Sequence, residues 1–238
     1  MARIDKGALT RIEIIGEATK QFLENGYSNT TVSSIAKVLE MSPGNLTFHY
    51  PTKEHLLAEL TTRLCDYHAI VMESEMDEGR TSLLAYLLEI TSMMSICDEN
   101  DIAKDLYASV YRNPLTLRMI READTEKVKY IFKDHCPHWE NEDFVLTENV
   151  VSGIEYASIM KENAESIALD RRIVKTLRMV MKAYNVPEDL IEQKIEKVLA
   201  IDYRKIGRKF VEGFSQYVSE MNERALEEAH QARRRKKK

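Results

Sequence analysis

Between Thr30 and Lys53 the chain places short polar side chains where they can meet the edges of nucleic-acid bases. Ser42-Pro43 opens a helix, because serine is a preferred N-cap and proline fits the first helical position. Pro51 closes it, because a proline disfavours helical geometry in the residue before it. The outward positions of this short helix carry Asn45, Thr47, Phe48 and His49, while Leu46 and Tyr50 stand one turn apart and pack inward. In a major groove, asparagine pairs with adenine, threonine offers a hydroxyl or a methyl, and histidine donates to a base or a phosphate. Gly44 lets a backbone approach closely. The N–H groups at the start of the preceding helix, near Thr31 and Ser33, and those beside Ser42 and Pro43, suit phosphate oxygens. Lys53, opening the next helix, is placed to add a phosphate contact, which positions the protein while base contacts specify sequence.

Other groupings that could do chemistry are weaker. His135, Cys136 and His138 flank Pro137, but a structural zinc site takes four ligands at paired spacings and no second pair matches. Cys65 and His68 form a lone i, i+3 pair. Glu227 and His230 make one Glu-x-x-His, where di-iron bundles use two. The chain has no glycine-rich phosphate loop, nucleophile elbow or His-Glu-x-x-His. Its 39 acidic residues are expected on exposed helix faces with i, i+4 partners. The reading is therefore no catalytic residue, no metal, no cofactor and no enzyme.

The elements that must hold the reading helix are helical almost throughout. Ile12, Ile15, Ala18, Phe22 and Leu23 mark one amphipathic face, closed by Asn25-Gly26. Thr30-Thr31 caps a short helix with Ile35, Ala36 and Leu39 inward, joined by Glu40-Met41-Ser42 to the reading helix. Longer helices are expected at 53–76, 81–97, 101–112, 115–135, 143–164, 167–185 and 187–230, with breaks that include Glu78-Gly79 and Asn113-Pro114. No alternating strand and no fixed-period repeat is visible. Two short helices buttressed by a longer one make a helix-turn-helix unit. The fold class is all-α: that N-terminal unit, then a larger helical body.

Composition agrees. With 238 residues, 44% of them apolar, the chain can build a sizeable core, and only 8 Gly and 5 Pro exclude linker-rich and low-complexity classes. No run suits a membrane span and no secretory signal opens the chain. Three cysteines without a CxxC pair point to a reducing, cytoplasmic setting. Six of the 34 basic residues close the chain as Arg233–Lys238, leaving 28 against 39 acidic ones. Bulk charge thus gives no support for binding DNA; a small shaped surface must do it.

Thr31-Val32, Ile35-Ala36, Ser42, Phe48-His49-Tyr50 and Lys53-Glu54-His55-Leu56, preceded by Ala18, Phe22, Gly26 and Tyr27, resemble the DNA-binding domain of the tetracycline-repressor (TetR) family of transcription regulators. The likeness covers about residues 8 to 60. Two departures stand out. Glu40 occupies the turn position where the family usually has glycine, and Thr47 stands where it usually has tyrosine. The resemblance implies a homodimer on a palindromic double-stranded DNA operator. It also implies a C-terminal domain that dimerises and binds a small-molecule effector, and a helix from Lys53 that acts as lever. The expected organisation is 1–55 for DNA binding, 56–230 for effector binding and dimerisation, and 231–238 as a basic tail. On the body helices, Tyr67, His68, Tyr107, Tyr111, Tyr156 and Met160 are the candidate pocket lining. The 11 Met and 11 Tyr favour an apolar or aromatic effector. Ile206, Phe210, Phe214 and Tyr217 recur on one stripe of the last helix, which suits a dimer interface or an internal core. The function expected is a sequence-specific regulator, a repressor by family habit. The competing expectation is a helical ligand-binding or protein-interaction module that no longer reads DNA.

Overall fold

The structure, a computed structural model, describes residues 6–75, 82–160 and 166–235. These form α1 (Lys6–Asn25), α2 (Val32–Val38), α3 (Pro43–His49), α4 (Lys53–Glu75), α5 (Leu83–Glu99), α6 (Asp101–Arg112), α7 (Pro114–Phe132), α8 (Asn141–Met160), α9 (Leu169–Ala183), α10 (Glu188–Ala200) and α11 (Tyr203–Arg235). Among the described residues there is no strand, and no helix is long and apolar enough to cross a membrane. The break expected at Glu78-Gly79, the side chain of His230 and the side chains of Arg233–Lys238 lie outside the described residues.

Helix ends follow local chemistry. Thr31 Oγ1 accepts from Ser34 N, while Thr31 N donates to Ser34 Oγ, so two otherwise orphaned donors are satisfied at the start of α2. Asn113 accepts from the N–H groups of Leu115 and Thr116, with Pro114 in the first turn of α7. Several helix ends shift by one to three residues from the sequence expectation, and two junctions show why. Helix α5 runs on to Glu99, and Asn100 alone both ends it and caps α6. The single helix expected over 187–230 is two helices, because Ile201 is extended and Asp202 Oδ1 accepts from Lys205 N to start α11.

Helix α5 is buried nearly all round, as a helix apolar on every face must be, and α4, α6, α8, α9, α10 and α11 pack about it. The long α11 lies against α1, α4 and α5 together. Its apolar stripe is therefore internal. Ile206, Phe210 and Phe214 are buried, and Tyr217 packs against the same core. Tyr67 of α4 sits among the rings of Phe210, Phe214 and Tyr217 at centroid distances of 5.0, 5.6 and 4.9 Å. This corrects the assignment of these four residues to a dimer interface: α4 and α5 already cover that face.

Candidate nucleic-acid interface and ligand cavity

Helix α3 is presented as its sequence requires. Leu46 and Tyr50 are buried and anchor it, and Arg11 of α1 lies 4.9 Å from the centre of the Tyr50 ring. Ser42 Oγ accepts from Asn45 N at 3.1 Å. That leaves Asn45 exposed and Thr47 and His49 part-exposed, while Phe48 shows 82% of its surface. Thr47 Oγ1 donates to Gly44 O, which fixes the side chain against its own helix. A Cβ on Gly44 would stand in open space, with Ser42 Oγ at 4.0 Å as its nearest neighbour. Internal packing does not demand that glycine. Glu40, in the turn, has φ 52°, so a non-glycine residue does hold the left-handed conformation there.

Thr31 and Ser33 are exposed at the start of α2. Lys53 is not. Its ammonium donates to the carbonyls of Tyr27 and Thr30, both at 2.9 Å, and lies 4.0 Å from the centre of the Tyr27 ring. Burial lowers its pKa, against the pull of Glu54 and Asp105. Lys53 is thereby a strut between α4 and the α1–α2 loop. A second strut comes from α6, where Asp105 Oδ2 accepts from Ser28 N at 2.8 Å.

Both struts lead to one cavity of about 470 Å³. Thr61, Leu64, His68 and Met72 of α4, Tyr107, Val110 and Tyr111 of α6, and Tyr86, Ile90 and Met93 of α5 form its walls. Of the residues expected there from sequence, His68, Tyr107 and Tyr111 line it. Tyr67 points instead into the α11 ring cluster. Tyr156 and Met160 lie outside, where Arg112 Nε donates to the Tyr156 hydroxyl at 2.8 Å and the same guanidinium reaches Met160 Sδ. His68 Nε2 and the Tyr107 hydroxyl share a hydrogen bond at 2.6 Å, and the His68 ring stacks on Phe210 with centroids 4.0 Å apart. Burial holds the His68 pKa down to about 4, so the ring is neutral at neutral pH.

Sequence reasoning missed the acids of this cavity. Glu89 on α5, Asp124 on α7 and Glu155 on α8 line it, with Glu148 of α8 buried just behind. Ligand oxygens of Asp124, Glu148 and Glu155 lie within 4.8 Å of one another. Lys127 Nζ bridges Glu89 at 2.5 Å and Asp124 at 3.6 Å. Glu155 accepts from Tyr111 at 2.9 Å and from Tyr86 at 3.5 Å, and Glu148 accepts from Tyr184 at 2.8 Å. Burial, followed by the neighbouring acids, pushes Glu148 up to about 9 and Glu155 up to about 8. Burial also raises Asp124 to about 6, against the pull of Lys127. Burial works against Glu89 too, but Lys127 overcomes it and holds that carboxyl below its usual range. Glu89 falls among the acids expected on exposed faces; what turns it and Lys127 toward the cavity is the packing of α5 and α7. His135, Cys136 and His138 do not form such a group: Cys136 is buried and its thiol donates to Tyr184 O at 3.3 Å.

A buttressed helix-turn-helix with an exposed second helix is set on an all-helical body. Residues 14–60 match the bacterial regulatory proteins of the tetR family. The helix-turn-helix regulator QacR of Staphylococcus aureus (strain Mu50 / ATCC 700699) is 46% identical over 48 residues, 20% of this chain and 26% of QacR. That match therefore spans about a quarter of the relative's length. The regulator UidR of Escherichia coli (strain K12) is 24% identical over 182 residues, 72% of this chain and 91% of UidR. The crystal structure of a γ-butyrolactone receptor, an ArpA-like protein, is 17% identical with a TM-score of 0.43 over 87% of this chain and 99% of that one. Residues 14–60 thus resemble the DNA-binding domain of the tetR family of bacterial regulatory proteins, and beyond them the likeness to UidR is weaker.

Proposed function

We propose that this regulator is a cytoplasmic homodimeric repressor that grips a palindromic DNA operator and is released from it by a small molecule bound in the cavity. The observation that carries the reading is the pair of struts. Helices α4 and α6 both wall the cavity, and both touch the loop between α1 and α2, α4 through its first residue, Lys53, and α6 through Asp105 within its span. A ligand that moves either helix moves the head. Two heads must sit about 34 Å apart to meet successive major grooves, so a shift of a few ångströms breaks several contacts together.

Dimerisation calls for an exposed apolar face other than the α11 stripe. Helix α8 offers one: Leu146, Val150, Gly153 and Ala157 follow steps of four, three and four and are all exposed, with Ile167 and Met179 exposed beside α9. Val150→Glu on that face is expected to convert a dimer to a monomer in light scattering.

The function is tested by selecting DNA from a random duplex pool across a range of salt. The expected product is a palindrome with half-sites one helical turn apart and a steep salt slope. Asn45→Ala or His49→Ala is expected to weaken specific binding without unfolding the chain. Failure of ligand-stripped protein to select any sequence would favour a ligand-binding module that does not read DNA.

A further inference from the structure

The cavity is far more acidic than an apolar pocket needs to be. Its described lining includes Glu89, Asp124 and Glu155 against one basic residue, Lys127, with exposed Asp66 and Glu126 at the rim, the latter paired with Lys129. Lys127 pairs with Glu89 and Asp124, and among the described residues no cation forms an ion pair with Glu155 or Glu148, which feel Lys127 only at longer range. On α9, which also packs against α8, Arg171, Arg172 and Lys175 line a separate groove on the other side of that helix, and Arg172 pairs with Asp98; the basic groups of α6 and α7 beside α8 are held elsewhere. Arg121 of α7 donates to Ser152 Oγ and Asn149 O, and Arg112 of α6 is turned outward to Tyr156. The groups that do face the two glutamates are phenols: Tyr86 of α5, Tyr111 of α6 and Tyr184 beyond α9.

Two buried polar atoms at the site have no hydrogen-bond partner: Oε1 of Glu148, a residue with no exposed surface, and Nδ1 of His68, which is 5% exposed in the cavity wall. An unpartnered buried acceptor is costly. It is relieved by a donor or a positive charge brought from outside. The rest of the lining sets the shape of that visitor. Leu64, Met72, Ile90, Met93, Val110 and Ile120 supply an apolar envelope, and Tyr86, Tyr107, Tyr111 and Tyr130 supply ring faces that attract cations.

We propose that the cavity takes a hydrophobic organic cation, and that the cation enters in exchange for a proton held among Asp124, Glu148 and Glu155. The inference rests on reading the cavity as the effector site and gives that effector its chemical class. Without ligand, the cluster avoids crowding three buried negative charges by keeping protons, as the raised pKa values of Glu148 and Glu155 require. A cation beside Glu155 favours its ionised form, the proton leaves to solvent, and the charge inside is balanced. A neutral aromatic ligand gains nothing from this exchange, and an anion is repelled. A bare metal ion is a poorer occupant, because the phenols of Tyr86 and Tyr111 already donate to both oxygens of Glu155 and Tyr184 to one of Glu148, while Lys127 holds Asp124.

The experiment is calorimetry on the full chain without DNA, using tetraphenylphosphonium and its anionic shape-mate tetraphenylborate, in two buffers of different protonation enthalpy. Tetraphenylphosphonium is expected to bind with release of up to one proton at pH 7. Its affinity should rise about tenfold per pH unit for each proton released. Tetraphenylborate should bind at least tenfold more weakly. Glu155→Gln and, separately, Asp124→Asn should lower cation affinity at least tenfold, and Glu155→Gln should also abolish the buffer dependence. Equal binding of the two ions, no proton release in the wild-type chain, or a cluster that takes Mn²⁺ in competition with the organic cation would overturn the proposal. Operator release is measured separately. A cation that binds as described yet leaves operator affinity unchanged refutes the effector reading alone, whereas release by a neutral aromatic with no cation binding refutes this inference alone.

Discussion

Glu148→Gln tests the buried carboxyl cluster through the pH dependence of folding. Glu148 is fully buried, with one oxygen on the Tyr184 hydroxyl and the other unpartnered. Its folded pKa is near 9 and that of Glu155 near 8, each raised chiefly by burial from an ordinary value of 4.5. At pH 7 the folded cluster therefore holds protons that the unfolded chain has released. Stability is fully present below the ordinary carboxylate range and drains away as pH rises toward the folded values. Each retained proton contributes a slope of about 1.4 kcal/mol per pH unit. Two protons, one of them partly lost by pH 8, give a fall of about 2 kcal/mol between pH 7 and pH 8. His68 does not blur this window: its folded pKa is about 4, and the ordinary histidine range of about 6.5 leaves it mostly neutral in the unfolded chain as well. Glutamine keeps the shape of the protonated carboxyl and cannot titrate. Urea unfolding followed by circular dichroism at the two pH values should show the variant's slope reduced by about 1.4 kcal/mol per pH unit. A wild-type chain equally stable at pH 7 and pH 8, or a variant with the wild-type slope, would refute the reasoning.

Lys53→Met is expected to cost about 1–2 kcal/mol, because the carbonyls of Tyr27 and Thr30 lose the ammonium donor, Tyr27 O keeping only its bond from Thr30 N. Thermal denaturation measures that loss, and operator titration should show a weakened ligand response. Gly44→Ala should act with opposite signs, raising stability by about 0.4–1 kcal/mol since the site is open while lowering operator affinity through its methyl group. A Cβ at Gly213 would lie 2.0 Å from the Tyr67 hydroxyl oxygen, so Gly213→Ala should cost about 1–3 kcal/mol by overpacking. Tyr67→Phe in the same chain should recover most of that in a double-mutant comparison.

The head was legible because its signals are local. Ser42-Pro43, Thr31 with Ser34, Gly26 and the paired inward residues Leu46 and Tyr50 each act within one turn of helix. Glu40 was legible too, as a residue standing where the turn needs positive φ. The body was legible in outline only. The 3.6-residue period located the α11 stripe but not the surface that covers it, since a core face and a dimer face carry the same pattern. The division at Ile201-Asp202 was missed because apolar spacing runs across it and only Asp202 marks the new start. The cavity acids were invisible for a stronger reason. A glutamate on an amphipathic helix reads as solvent-facing, and only the angle at which α5, α7 and α8 meet brings Glu89, Asp124 and Glu155 to one wall. Lys53 shows a related gap: its spacing does not reveal that the carbonyls of Tyr27 and Thr30 accept from it.

The packing of α11 against α1 bears on how this chain can be taken apart. Gly16 of α1 lies so near Asn222 that a Cβ there would come within 3.1 Å of its side chain, and Asn222 also accepts from Arg63 of α4 at 2.7 Å. One end of the chain thus finishes the packing of the other. A reading head cut from its body, or grafted onto a foreign one, loses the surface that completes α1. Swapping operator preference between relatives should therefore succeed by exchanging the outward residues of α3 and fail by exchanging whole N-terminal segments.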